Sequence, residues 1–273
     1  MKTWFVTGAS AGFGAAIVQE VLSRGDCVVA AARRIEDIAI RDDRLLPVRL
    51  DVTRRSDMQA AVTAAIGCFG AIDVLVNNAG YGLLSTIEEA EEAAVRRQFD
   101  TNVFGPAALM RAVLPHMRAR RSGFIVNVSS TAGARGFAGS GYYCASKAAL
   151  EAMTEALAAE AADLGIRAMI VSPGPFRTDF YGRSLDTPHS EIGDYAAAIA
   201  LRDAAAARSG QQRGDPERGA RIIVDTVLGD NPPLRLLLGG RSHETVTGAL
   251  QAKLADLQRS EASAPLADFP EGE

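Results

Sequence analysis

The chain has 273 residues, 48% of them hydrophobic, and a formal charge of −4. That length suits one large α/β domain or two small ones. An isoelectric point near 5.5 argues against a nucleic-acid partner, because domains that bind nucleic acid are usually basic. Cys27, Cys68 and Cys144 form no C-x-x-C pair, so free thiols in a reducing compartment are the simplest reading. A glycine interrupts the opening apolar run, and no stretch approaches the roughly 18 uncharged apolar residues of a membrane helix. A cytoplasmic protein without a membrane partner is expected.

The first strand candidate, "TWFVTG", runs into Gly8, Gly12 and Gly14 and then into a helix over 11–23. Backbone N–H groups of a glycine-rich turn can approach a pyrophosphate, and the helix N-terminus adds partial positive charge. The spacing is wider than G-x-G-x-x-G but uses the same physics. The second strand, "CVVAAA", ends at Ala32. NAD-binding chains place an acid there, about 20 residues past the glycines, to hold the ribose hydroxyls. Here Arg33 and Arg34 follow instead. A phosphate monoester carries about −1.5 to −2 charge, which an acid would repel and an arginine would clasp. A hydrogen bond to a charged group is worth about 1.5–3 kcal/mol. NADP(H) is therefore expected over NAD(H), with Arg33 and Arg34 both candidates for the 2′-phosphate.

Further strands follow at "LPVRL", "IDVLVN", "FIVNVS", "IRAMIVSPG" and "LRLLLG", with helices over 56–69, 102–120, 142–163, 216–228 and 243–258 between and after them. Short apolar strands alternating with helix-period runs predict a parallel sheet built from βαβ units. Asp215-Pro216-Glu217 is a well-formed helix start. Residues 176–214 fit the alternation poorly and read as a substrate loop. Residues 259–273 read as a flexible acidic tail. The expected architecture is one α/β domain over 1–258, a doubly wound parallel seven-stranded sheet that binds a dinucleotide and carries the catalytic site.

"FIVNVSS" ends in Ser129 and Ser130, where ligands of open α/β sheets bind. "GYYCASKAAL" places Tyr143 and Lys147 four apart, on one helix face. A free tyrosine, with a pKa near 10, is a poor acid–base catalyst at neutral pH, and a nearby ammonium favours the phenolate. So tuned, Tyr143 could protonate a carbonyl oxygen while Ser130 steadies it by a hydrogen bond. His116, His189 and His243 are scattered, so no metal site is expected. The run "EEAEEAAVRR" reads as a solvated helix face.

"TGASAGFG", "LDVT", "NNAG", "DTNVFGP", "IVNVSS", Tyr143-x-x-x-Lys147 and "SPGPFRT" occur in that order over 3–178. With these pieces the chain resembles the short-chain dehydrogenase/reductase family, in its compact single-domain branch, near hydroxysteroid-dehydrogenase-like carbonyl reductases. The resemblance implies a Rossmann fold and an oxidoreductase acting on CH–OH donors. Tyr143 would be the proton donor, Lys147 would also hold the nicotinamide ribose, Ser130 would orient the carbonyl, and Asn102 would support a proton relay. Gly8, Ser10, Gly12, Phe13 and Gly14 would hold the cofactor, Asp51 and Val52 would flank its adenine, and Asn78, Ala79 and Gly80 would line it. Pro173, Gly174, Phe176 and Thr178 would close over the nicotinamide. Phe137, Tyr142, Phe176 and the 180–200 region would hold a bulky, hydrophobic small-molecule substrate. A homodimer or homotetramer is implied. The rival readings are an NAD-linked alcohol dehydrogenase, a 3-oxoacyl reductase, and a non-catalytic NADP-binding regulator.

Overall fold

In a computed structural model, which describes residues 1–189, 192–207 and 209–269, seven strands form one parallel sheet. In chain order the elements begin β1 (Thr3–Thr7), α1 (Gly12–Ser23), β2 (Cys27–Ala32), β3 (Leu45–Arg49), α2 (Arg55–Phe69), β4 (Val74–Asn77), β5 (Gly82–Leu83), α3 (Glu92–Phe99), α4 (Gly105–Arg120) and β6 (Gly123–Val128). They continue as α5 (Gly141–Glu160), β7 (Ile166–Pro173), α6 (Phe180–Arg183), β8 (Leu185–Asp186), α7 (Ala196–Ala206), α8 (Pro216–Leu228), β9 (Arg235–Leu238) and α9 (Gly240–Gln258). The sheet order is β3-β2-β1-β4-β6-β7-β9, with every pair parallel. All seven strands expected from the sequence are in it.

Alternation along each strand feeds two cores. Trp4, Val6, Val28, Ala30, Val76 and Val126 point to the side covered by α1 and α8. Phe5, Val29, Ala31, Leu75 and Ile125 point to the side covered by α2 and α4. Strands buried on both faces read as continuous apolar runs, which is why "CVVAAA" and "DVLVN" announced themselves. The strand order reverses between β1 and β4, so a crevice opens beyond their carboxyl ends. The glycine turn and the Asn78–Gly80 segment both leave the sheet there.

Beyond shifts of one to three residues at element ends, four boundaries differ from expectation. The helix expected from 102 is preceded by α3 and by a π-helical turn, Asp100–Phe104, and the backbone stays helical at every junction. The helix expected to reach 163 ends at Glu160, followed by a 3₁₀ turn over Ala162–Leu164. The 176–214 excursion carries α6, β8 and α7 rather than bare loop; its residues 190, 191 and 208 lie outside the described residues. In the expected tail, Ala264–Ala267 form an exposed 3₁₀ turn, and residues 270–273 lie outside the described residues. Asp215 caps α8 as expected, accepting from the Glu217 and Arg218 amides. No helix among the described residues is long and apolar enough to cross a membrane.

Candidate active site

The glycine turn is built for close approach. Gly8 and Gly12 hold φ of +66° and +54°, which glycine adopts without steric cost. A Cβ on Gly14 would lie 2.1 Å from the Gly8 carbonyl oxygen and 2.7 Å from Asn78 Nδ2. Asn78 fixes this packing, its Nδ2 donating to the Thr7 carbonyl at 2.9 Å, while the Asn78 and Ala79 amides each donate to Thr7 Oγ1 at 3.0 Å. Helix α1 starts at an Ala11 cap with no side-chain hydrogen bond and no acid in its first turn. Half-buried Ser10 lies at its mouth. An uncapped helix start with N–H groups facing an open turn fits an anion, so the residues present suit a dinucleotide's phosphates. Phe13 does not take part through its ring, which stacks on Phe176 at 4.7 Å between centroids.

Beyond β2 the two arginines separate in role. Arg34 is committed to the turn that follows it, pairing with Asp37 at 2.5 Å and with Glu36 at 3.8 Å. Arg33 is exposed and has no ion pair or hydrogen bond among the described residues. It does face Asp51. Burial would raise the Asp51 carboxyl, but the Thr53 amide and hydroxyl, with Arg54 and Arg33 nearby, hold it below the usual carboxylate range. Val52 packs beside it against Gly105, where a Cβ would come within 2.7 Å of the Val52 carbonyl oxygen.

Helix α5 turns Tyr143, Ser146, Lys147, Glu151 and Thr154 toward the protein interior. An amphipathic helix normally buries apolar residues on that face, and such a breach of a local rule marks a functional surface. Lys147 Nζ donates to the Val128 carbonyl at 2.9 Å and sits 5.9 Å from the centroid of the Tyr143 ring. Asn102 is buried in the π turn. Its Nδ2 donates to the Tyr81 carbonyl at 2.8 Å and to Ser146 Oγ at 3.1 Å, and its Oδ1 accepts from the Tyr81 amide. Gly80 borders both groups: a Cβ there would lie 3.0 Å from Asn102 Oδ1 and 3.4 Å from Lys147 Nζ. Ser130, two residues past β6, accepts from the Ala132 amide, and its hydroxyl is near enough to the Tyr143 phenol to favour the phenolate. The four predicted catalytic residues thus form one cluster.

Burial sets the starting charge of both groups. Burial pushes the Tyr143 phenol up, and the Ser130 hydrogen bond only partly opposes this. Burial also pulls the Lys147 ammonium down to about 8, against the pull of Glu151. Both groups lie in the same desolvated pocket, where every charged form is disfavoured. The lysine therefore does not by itself make Tyr143 a phenolate.

Across the crevice, Pro173 and Gly174 end β7, and half-buried Thr178 stands over the turn, its Cβ 3.3 Å from a Cβ placed on Gly12. Phe176, expected in the substrate wall, is instead buried in the core between α1 and α8. The side chains beside Tyr143 here come from α6 and β8. Phe180 lies 5.9 Å from Tyr143 between ring centroids, and Leu185 packs on Gly82. Burial raises the neighbouring Tyr181 phenol. β8 pairs in parallel with β5, the segment just past Gly80. Tyr142 donates to the Ile87 carbonyl at 3.3 Å, and Phe137 sits under Arg135 at 4.9 Å. His189 is exposed on this loop. No group of three or more His, Cys, Asp or Glu side chains that could hold a metal occurs among the described residues.

The short chain dehydrogenase family model matches residues 2–188. The chain belongs to the short-chain dehydrogenases. It is similar to a short-chain dehydrogenase from Streptomyces avermitilis, with 40% identity, 98% of each chain covered and a TM-score of 0.91. It is also 37% identical to a 3-ketodihydrosphingosine reductase of Bacteroides thetaiotaomicron, over 86% of each chain. Two more distant structures hold cofactors. One from Burkholderia cenocepacia contains NADP (26% identity, 95% and 98% covered, TM-score 0.74), and one from Burkholderia phymatum contains NAD (25%, 95% of each, 0.79).

This short-chain dehydrogenase is an oxidoreductase, and its site includes residues that pattern reading missed. Glu88 and Glu89, read as a solvated face, reach the 176–214 excursion: the Tyr195 hydroxyl donates to Glu88 at 2.6 Å and the Ile192 amide to Glu89 at 2.9 Å. Nothing local signals a contact across more than a hundred residues. Glu151 was missed too, although it extends the four-residue spacing of Tyr143 and Lys147, which could have flagged it.

Proposed function

We propose that this short-chain dehydrogenase interconverts a ketone or aldehyde and an alcohol with NADP(H), in the reducing direction that NADPH favours. The observation that carries the reading is the convergence of Asn102, Ser130, Tyr143 and Lys147 beside an uncapped glycine turn. Gly8, Ser10, Gly12, Phe13 and Gly14 would hold the pyrophosphate through backbone groups, and Arg33 the 2′-phosphate. Asp51 and Val52 would border the adenine, Asn78 to Gly80 the ribose, and Pro173, Gly174, Thr178 and the backbone of Phe176 the nicotinamide end. When bound, the cofactor supplies hydride to the carbonyl carbon.

The chain's own residues manage the proton. A phenol kept protonated by burial is a loaded donor for the developing alkoxide. Once it has given its proton, the Lys147 ammonium faces the phenolate and stabilises it. Ser130 donates a hydrogen bond to the same oxygen, a contact that strengthens as charge develops there. Asn102 anchors the Tyr81 backbone and holds the π turn open toward Lys147, a route by which Tyr143 regains a proton. Phe180, Tyr181 and Leu185 give the substrate side an apolar wall and exclude water. That wall supports a bulky apolar carbonyl compound, in keeping with the ketone substrate named for the Bacteroides relative. Two or four copies pairing through α4 and α5 complete the reading.

A panel of aldehydes, ketones and alcohols assayed with NADPH and NADH side by side tests it. Turnover with NADPH on apolar ketones, lost in Tyr143→Phe, is expected. A preference for NADH removes the cofactor assignment, and undiminished turnover in Tyr143→Phe removes the mechanism.

A further inference from the structure

Glu151 lies one helical turn beyond Lys147, buried with 6% exposure. Its Oε1 accepts from Ser129 Oγ at 2.6 Å and from Ser172 Oγ at 3.4 Å. Its Oε2 accepts from Arg235 Nη1 at 2.5 Å, and Arg235 also pairs with Glu155. One carboxylate thus ties α5 to the carboxyl ends of β6 and β7 and to β9. The loop carrying Ser130 rests on it: a Cβ at Gly133 would lie 2.1 Å from Glu151 Oε1. Ser129 immediately precedes Ser130. A buried carboxylate is costly unless paired and hydrogen-bonded, and Glu151 is satisfied by two serines and an arginine while lying one turn from Lys147.

We propose that Glu151, clamped by Ser129, Ser172 and Arg235, is a positioning residue that holds the Lys147 ammonium charged and fixes the strand end bearing Ser130. This inference rests on the reading of the Tyr143 site given above. The groups around Lys147 are Tyr143 and Glu151 on α5, Asn102 of the π turn and the Val128 carbonyl of β6, with Arg235 and Glu155 behind Glu151. Among them Glu151 is the one that pulls the desolvated ammonium back toward its charged form. Arg235 modulates that pull from the far side of the carboxylate. Removing Glu151 and removing Arg235 therefore act on Lys147 with opposite signs.

The chain has only three lysines, Lys2, Lys147 and Lys253, so lysine-selective ¹³C labelling yields three side-chain NMR signals. In the cofactor-free wild type the Lys147 signal titrates near 8. In Glu151→Gln its midpoint falls, because the opposite charge that favours the ammonium is gone. In Arg235→Gln it rises, in Arg235→Lys it stays at the wild-type value, and Lys2 and Lys253 are unmoved in all. A Glu151 that serves the fold without reaching Lys147 electrostatically leaves the Lys147 midpoint in place. An unmoved midpoint, or movement in the same direction in the Glu151→Gln and Arg235→Gln variants, overturns the proposal. If Glu151→Gln does not fold, Arg235→Gln against Arg235→Lys decides alone. Because the titration needs neither cofactor nor substrate, a carbonyl panel without turnover sinks the ketone-and-alcohol reading and leaves this result standing on its own.

Discussion

Gly14 is pressed against Gly8 so closely that a side chain at position 14 would place its Cβ 2.1 Å from the Gly8 carbonyl oxygen. The contact is with backbone, and the Asn78 amide blocks the other side. Overpacking of this kind costs about 1–3 kcal/mol. Gly14→Ala is expected to lower the melting temperature and to weaken cofactor binding in a fluorescence titration. Gly67, inside α2 with nothing within 4 Å of a Cβ, is the control. Gly67→Ala is expected to gain about 0.5–1 kcal/mol by relieving helix entropy.

The two arginines after β2 differ in availability. Arg33→Ala is expected to weaken NADPH about 10–100-fold while leaving NADH unchanged, the value of one or two charged hydrogen bonds. Arg34 is held by Asp37 and Glu36, so Arg34→Ala should change NADPH affinity by less than about threefold. Equal losses in both variants would contradict this division.

Lys147 sets catalysis against stability. Its folded pKa of about 8 lies below the free value of 10.5, so its burial destabilises the fold fully below pH 8. That cost fades as pH rises toward 10.5, where the unfolded lysine also loses its proton. Lys147→Met should abolish turnover yet raise stability at pH 7 by about 1–3 kcal/mol, allowing for the Val128 carbonyl left without its donor. Denaturant melts at pH 7 and pH 10 check the sign: the advantage should shrink at the higher pH.

The latch between Glu88 and Tyr195 is exposed, and such contacts contribute about 0–1 kcal/mol. Tyr195→Phe and Glu88→Gln should leave the global melting temperature in place. They should speed protease cleavage within 180–207 by up to about fivefold, because local opening, not global unfolding, is released.

The sheet was legible because its strands are buried on both faces, so that "TWFVT" or "CVVAAA" needs no alternation to stand out. The glycine turn and the Tyr143–Lys147 pair were legible because each is a contiguous spacing with one physical purpose. Three features were hidden by the same circumstance: they depend on distant partners. Phe176 follows a catalytic loop in sequence, yet its ring is claimed by Phe13. The spacing of Tyr143 and Lys147 is visible in sequence, but the desolvation that burial imposes on both is not. Glu151 looks like an ordinary helix glutamate until Arg235, 84 positions away, is seen against it.

The π turn over Asp100–Phe104 separates two demands that one regular helix could not meet together. A straight helix advances its faces in strict rotation, so any shift that aimed Asn102 at Tyr81 and Ser146 would also swing Leu109, Val113 and Met117 away from the sheet. The extra residue works as a clutch. Upstream, Asn102 is free to follow the chemistry; downstream, α4 keeps its grip on the interior. Deleting a single residue between positions 100 and 104 would therefore force the molecule to choose between a working amide and a sealed interior.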